Sequence, residues 1–293
     1  MTSRQLVLAT DFGRAALAAL PQVAQLAVAY DAGIILLHVQ SSPWVDWVTS
    51  GLTDGETHRR MDSWRNDLCT RGARVDDTQL LRGSAAPAIL EYAESVNAGL
   101  IAIGSGDKSL IDRFTTGATA EAVARAAEVP VWVVRPGARE KIERVLCGVD
   151  TTEASARVLE AALLLRQRLA AKLTVAYVVS KLERAGGIHP GGEQEELQRY
   201  ERERREAYAR LLEHYGRELT DVERLCVIGR PSESLRGIAM EEKFDLIMVG
   251  RAESSRLARL LLGSTAERLL RHSPCSLLLA DGAVFEPLAI RPR

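Results

Sequence analysis

No apolar run in this chain of 293 residues reaches the ~18 residues that a membrane-crossing helix needs. The opening residues MTSRQLVLATDFG lack the long apolar core and cleavage site of a secretory signal, so a cytoplasmic chain without a membrane partner is expected. Cysteine is sparse. Cys69, Cys147, Cys226 and Cys275 stand far apart and form no CxxC, which fits a reduced compartment and buried thiols. The histidines His38, His58, His189, His214 and His272 show neither HExxH nor another short ligand spacing, so no metal site is expected. His38 lies inside a predicted strand and reads as a core or strand-end residue. There is no GxxxxGK followed by Ser or Thr, no GxGxxG after the first strand and no GxSxG. P-loop chemistry, dinucleotide binding and the hydrolase nucleophile are thereby set aside. Neither charge dominates. Residues 1–138 carry 12 basic and 15 acidic side chains, and the remainder carries 26 and 24. That is not the basic excess of a nucleic-acid binder.

What is present is a duplication. Leu6-Val7-Leu8-Ala9-Thr10-Asp11 matches Val145-Leu146-Cys147-Gly148-Val149-Asp150 at an offset of 139. Leu100 to Gly104 matches Leu246 to Gly250, and Gly117-Ala118-Thr119-Ala120-Glu121 matches Gly263-Ser264-Thr265-Ala266-Glu267, both at 146. The growth of the offset places a longer middle in the second copy, around residues 180–218. A period of this length is domain-sized, well beyond a solenoid repeat. Two domains are expected, 1–138 and 142–293, as the length prior of ~100–200 residues per domain also suggests.

Within each copy, short apolar runs alternate with helical spacing. Strands are predicted at Leu6 to Ala9, Ile34 to Val39, Thr78 to Leu81, Leu100 to Ile103 and Val131 to Val134. Helices are predicted from Ala15 to Tyr30 with Gly33 as the stop, from a Thr53–Glu56 capping pair to about Arg71, from Ala85 to Val96 and from Thr119 to Ala127. The second copy repeats this order from Val145 to Leu279, with a charged helix over 193–217 that reads as a solvated face. The loops 41–53 and 180–192 have no assigned role. The tail from Asp281 reads as a strap or a frayed end. Apolar strands alternating with helices imply an α/β fold: an open parallel five-stranded sheet, doubly wound, in each tandem copy.

The stretch from Asp245 to Ala280 carries the most specific pattern. An apolar run ends at Gly250, a polar loop follows, and Gly263-Ser264 opens a helix. Free N–H groups at a helix start can receive an anion. This stretch resembles the universal stress protein family, whose fingerprint is Gly, two residues, Gly, nine residues, then Gly-Ser or Gly-Thr. Gly250, Gly263 and Ser264 match it, while Glu253 stands at the middle glycine. In the first copy Gly104 and Gly117 match, but Asp107 and Ala118 replace the middle glycine and the hydroxyl residue.

The resemblance implies ATP, with Mg²⁺ if bound, in a crevice at the carboxyl ends of the strands, where the strand order switches. It assigns adenosine to the aspartate after the first strand and the valine closing the second. The site implied in the second copy comprises Val149, Asp150, Thr151, Val178, Gly250, Arg251, Gly263, Ser264 and Thr265. Its degenerate counterpart comprises Thr10, Asp11, Val39, Gly104 and Gly117. Bland readings stand beside these. Asp150-Thr-Thr-Glu153 has the spacing of a helix cap with its return carboxylate, and so has Ser264 with Glu267. A carboxylate at Asp107 or Glu253 repels phosphate, whereas Arg251, Arg256 and Arg259 can neutralise Glu253, bind phosphate or coat a surface. The first copy is therefore the weaker nucleotide site.

The resemblance also implies that the domains pair through their last strands, Val131 to Val134 and Leu277 to Leu279, so that one chain mimics a dimer and further homodimerisation stays open. No catalytic residue can be named, and any ATPase activity would be slow or incidental. Two functions remain: a cytosolic stress-response regulator that binds an adenine nucleotide weakly in its second domain, and a ligand-free structural or interaction module of the same fold.

Overall fold

The computed structural model describes residues 4–40, 54–106, 116–180, 193–251, 262–280 and 284–285. Asp107, Glu253, Arg256, Arg259, the loops 41–53 and 181–192 and most of the tail lie outside the described residues. The first copy runs β1 (Gln5–Thr10), α1 (Arg14–Tyr30), β2 (Gly33–Gln40), α2 (Asp54–Thr70), β3 (Arg74–Arg82), α3 (Ala85–Ser95), β4 (Ala98–Gly104), α4 (Ala118–Ala126) and β5 (Val131–Val134). The second runs β6 (Arg144–Val149), α5 (Glu153–Leu169), β7 (Lys172–Ser180), α6 (Glu193–Glu213), β8 (Glu223–Gly229), α7 (Pro231–Glu241), β9 (Leu246–Val249), α8 (Ser264–His272) and β10 (Ser276–Leu279).

The ten strands form one sheet in the order β3-β2-β1-β4-β5-β10-β9-β6-β7-β8. Within each copy neighbours are parallel. At the centre β5 and β10 run antiparallel, with Trp132 opposite Leu278. The fold is thus α/β, with two doubly wound units related by duplication. Strands buried on both faces need no alternation, which is why β1, β2 and β4 read as continuous apolar runs. The outer strands differ. In β3, Arg74, Asp76, Asp77 and Arg82 leave an edge unsuited to further pairing. Those charges also explain why only Thr78 to Leu81 was predicted.

Two apolar layers cover the sheet, each running through both copies. On one face Leu20 and Val23 of α1, Trp64 and Leu68 of α2, Val158 and Leu159 of α5, and Tyr208 and Leu212 of α6 share a core. On the other, Ile89 of α3, Val123 of α4, Leu235 of α7 and Leu269 of α8 share a second. The charged helix α6 is therefore solvated on one side only, and its Tyr208 hydroxyl donates to Val175 O at 2.9 Å.

Helix α1 ends differently from the prediction. Its stop is Asp31, left-handed at φ 52°, not Gly33. Gly33 already belongs to β2, and an added Cβ there would overlap the Asp76 carboxylate. Ala170 is the left-handed stop of α5 at φ 51°, at the repeat-equivalent place. Of the tail, the described residues Val284 and Phe285 lie against the first copy. Val284 and Phe285 are buried, and Phe285 lies 5.1 Å from the Tyr30 ring, centroid to centroid.

Candidate functional site

Register brings the strand tips of each copy to one level. Gly148 pairs with Val249 and Val149 with Tyr177, so Asp150, Val178 and Gly250 lie together just beyond them. From β6 the chain winds outward through β7 to β8, and the crossover after β8 returns to place β9 on the other side of β6. The gap between the ends of β6 and β9 is the switch point where ligands of such sheets bind. In the first copy Thr10 pairs with His38 and Ala9 with Ile103, which brings Asp11, Val39 and Gly104 together likewise. Val149 departs from the implied set. Its side chain lies in the core beneath α5, whereas Val178 belongs to the opposite layer with Leu235 and Ala266.

Asp150 does not cap α5. The cap is Thr152, whose hydroxyl accepts from Ser155 N at 3.3 Å. Asp150 stands two residues earlier and organises the turn. Its Oδ1 accepts from Thr152 N at 2.8 Å, from Thr152 Oγ1 at 2.5 Å and from Ser155 Oγ at 2.7 Å, while its N–H donates to Ser155 Oγ at 2.8 Å. The serine that completes this net lies beyond the predicted box, and a periodicity reading gives it no signal. Thr151 is exposed. In the first copy Asp11 Oδ1 accepts from Gly13 N and Thr10 Oγ1 from Phe12 N, both at 2.8 Å. Phe12, left-handed at φ 59°, lays its ring against His38 and Trp64 at 4.7 and 5.2 Å. His38 is a strand-end residue whose Nδ1 lies 2.7 Å from Thr10 O.

The feet of the two glycine loops are built alike. Gly263 N donates to Arg251 O and Gly117 N to Ser105 O, both at 2.6 Å. Gly263 and Gly117 are the caps of α8 and α4, and neither is assisted by a side chain. The predicted Ser264–Glu267 box is therefore absent. Ser264 is the first helical residue, one position too late to cap, and it is exposed. Thr265 follows it, half-buried. Glu267 instead joins a four-residue ring across the middle of the molecule. Arg125 Nη2 contacts Glu121 and Glu267 at 2.9 and 2.8 Å, and Arg271 Nη2 contacts the same two carboxylates at 3.0 and 3.2 Å. The hydrogen bond from Arg125, with help from Arg271, holds the Glu121 carboxyl below its ordinary range.

Arg251 does not turn toward the crevice. It is buried, and its Nη1 and Nη2 donate to Val129 O and Arg125 O of the first copy at 3.1 and 3.2 Å. Arg135, unmarked by any motif, makes the opposite crossing: its Nη2 donates to Leu270 O at 2.6 Å. Burial lowers the Arg135 pKa to about 10. For a nucleotide the second copy thus offers the N–H groups of Ser264 and Thr265, the exposed Ser264 hydroxyl and the apolar Val178. The first copy has Ala118 in place of the serine. Among the described residues no group of three or more His, Cys, Asp or Glu is placed to hold a metal ion, and no helix is long and apolar enough to cross a membrane.

A tandem, doubly wound α/β chain with a glycine-flanked loop at each switch point defines the class. The model of the universal stress protein family matches residues 2–135 and again 141–281, and the chain belongs to that family of stress-response proteins. A universal stress protein of Synechocystis is 26% identical over 149 residues, spanning 97% of its own length and 47% of this chain. One from Methanocaldococcus jannaschii is 28% identical over 145 residues, 85% of its length and 47% of this chain. Among solved structures, a universal stress protein from Archaeoglobus fulgidus superposes with a TM-score of 0.68 at 19% identity, covering 96% of this chain and 99% of its own. The fold of the whole chain is therefore shared, and a single relative can correspond to one copy.

Proposed function

We propose that the protein is a stress-response regulator that binds an adenine nucleotide weakly at the carboxyl edge of its second copy. The observation that carries this reading is the meeting of Asp150, Val178 and Gly250 with Gly263 at one switch point, beside a Ser264 hydroxyl left free of capping duty. Phosphate oxygens would take the N–H groups opening α8, where the helix dipole favours negative charge. Val178 would receive the base. Bound Mg²⁺ would offset charge on the phosphates. With β5 joined to β10, the chain reads as the intramolecular counterpart of a dimer.

A second reading, a ligand-free interaction module, is favoured by two observations. Asp150 Oδ1 is already taken by Thr152 and Ser155, and the Arg251 guanidinium serves the first copy. Titration calorimetry with Mg–ATP decides between them. Regulator binding predicts heat from the wild type that falls for Ser264→Ala and persists for Asp11→Ala. Absence of wild-type binding leaves the module.

A further inference from the structure

We propose that the first copy is a positioning element for the second copy's nucleotide site, acting through Thr116 and Arg135 on the far end of α8, and that Arg251 holds α4 in the same way. The nucleotide part rests on the reading above. Helix α8 has nine residues, so its ends are about 13 Å apart at the usual rise. Its N-terminal end is the phosphate position. At its C-terminal end Leu269 O is capped by Ser273 N, whereas Leu270 O faces Pro274, which has no N–H to give it, and residues of the first copy hold it. Leu270 O accepts from Thr116 Oγ1 and from Arg135 Nη2, and Arg135 also reaches Leu269 O at 3.5 Å. Both side chains are buried.

Thr116 directly precedes Gly117, the foot of the first loop. Arg135 directly follows β5, where Ser105 N, at the other foot of that loop, donates to Val134 O at 2.8 Å. The reciprocal clamp starts from the second loop. Arg251 closes its foot through its carbonyl and crosses with its guanidinium to the C-terminal end of α4. Each loop foot therefore grips the far end of the helix whose near end forms the opposite loop foot. A short helix transmits a shift at one end to the other, because packed elements do not deform continuously. Repetition does not account for the clamps. The equivalents of Thr116 and Arg251 are Leu262 and Ser105, which make neither contact.

The test is hydrogen–deuterium exchange on the full chain, paired with Mg–ATP titration. Thr116→Val and Arg135→Met should speed exchange at least five-fold in 264–272 while leaving α1 at the wild-type rate, and Arg251→Met should do the same in 118–126. Arg135→Lys, which keeps one donor, should restore much of the protection. Mg–ATP affinity should fall several-fold in Thr116→Val. Exchange changes confined to the mutated copy, or a uniform rise that includes α1, would overturn the proposal. If the wild type takes up no Mg–ATP, the nucleotide reading fails and the exchange pattern alone decides the clamp.

Discussion

Gly104 and Gly250 occupy equivalent places in the repeat for different physical reasons. A Cβ on Gly104 would sit 2.6 Å from Ala16 N and 3.0 Å from Ala15 C, both backbone atoms of α1, whereas on Gly250 its nearest neighbour is Val158 Cγ2 at 3.5 Å. Gly104→Ala must displace a helix and should cost about 1–3 kcal/mol. Gly250→Ala meets only ordinary contact and should stay within about 0.5 kcal/mol of wild type; denaturant midpoints compare them. Identity at matched positions thus left the two causes indistinguishable in sequence. Capping was similarly opaque. Asp150 and Ser264 each have a glutamate at the right spacing, but Thr152 and Gly263 take the cap positions, because a one- or two-residue shift of the helix start changes every role. Burial also acts on single residues. It raises the Cys147 thiol to about 12 and the Tyr30 hydroxyl to about 12. A folded-state pKa above the unfolded value stabilises the fold fully at lower pH and loses that contribution as pH rises. Denaturant midpoints should therefore fall as pH climbs from about 9 toward about 12. At pH 8 a thiol reagent should label exposed Cys69 quickly and Cys147 only after unfolding.

Among the elements, order and type were legible because the inner strands of a covered parallel sheet are largely apolar runs and each helix has a 3.6-residue period. The ends were less so, since a stop depends on one backbone angle. Ala170 ends α5 in the left-handed region at φ 51°, where a Cβ is disfavoured. Ala170→Gly removes that strain but adds freedom to the unfolded chain, so a net gain of about 0.5 kcal/mol is expected, visible as a raised thermal midpoint. The tail gave no periodicity, and only the contact of Val284 and Phe285 with the first copy gives that pair the character of a strap. An added Cβ on Gly99 would lie 2.8 Å from Phe285 Cα, so the strap approaches this glycine closely. Phe285→Ala should cost about 3 kcal/mol, and Gly99→Ala should loosen the same strap. Proteolysis after Asp281 in both variants, faster than in wild type, would register the release.

For the molecule as a whole, the duplication and the apolar character of the last strands were readable, but the traffic between the copies was not. The partners of Arg251 lie 122 and 126 residues away, and no local pattern encodes such a distance. The central junction makes a testable demand on the architecture. All four residues of β5 are at most 1% exposed, and β10 supplies the pairing on one side. A fragment ending at Glu140 would present β5 as an open, apolar edge without charge, the kind that recruits another strand. Two such fragments can satisfy each other with two-fold symmetry, because the antiparallel pairing at Trp132 is close to symmetric about that residue. The fragment should therefore elute as a dimer at tens of micromolar by light scattering, with helical circular dichroism retained. Trp132→Lys would place a charge at the axis of that contact and should shift the fragment to monomer or to unfolding. A well-folded monomeric wild-type fragment would mean that β5 tolerates solvent and that the second copy is not needed to cover it.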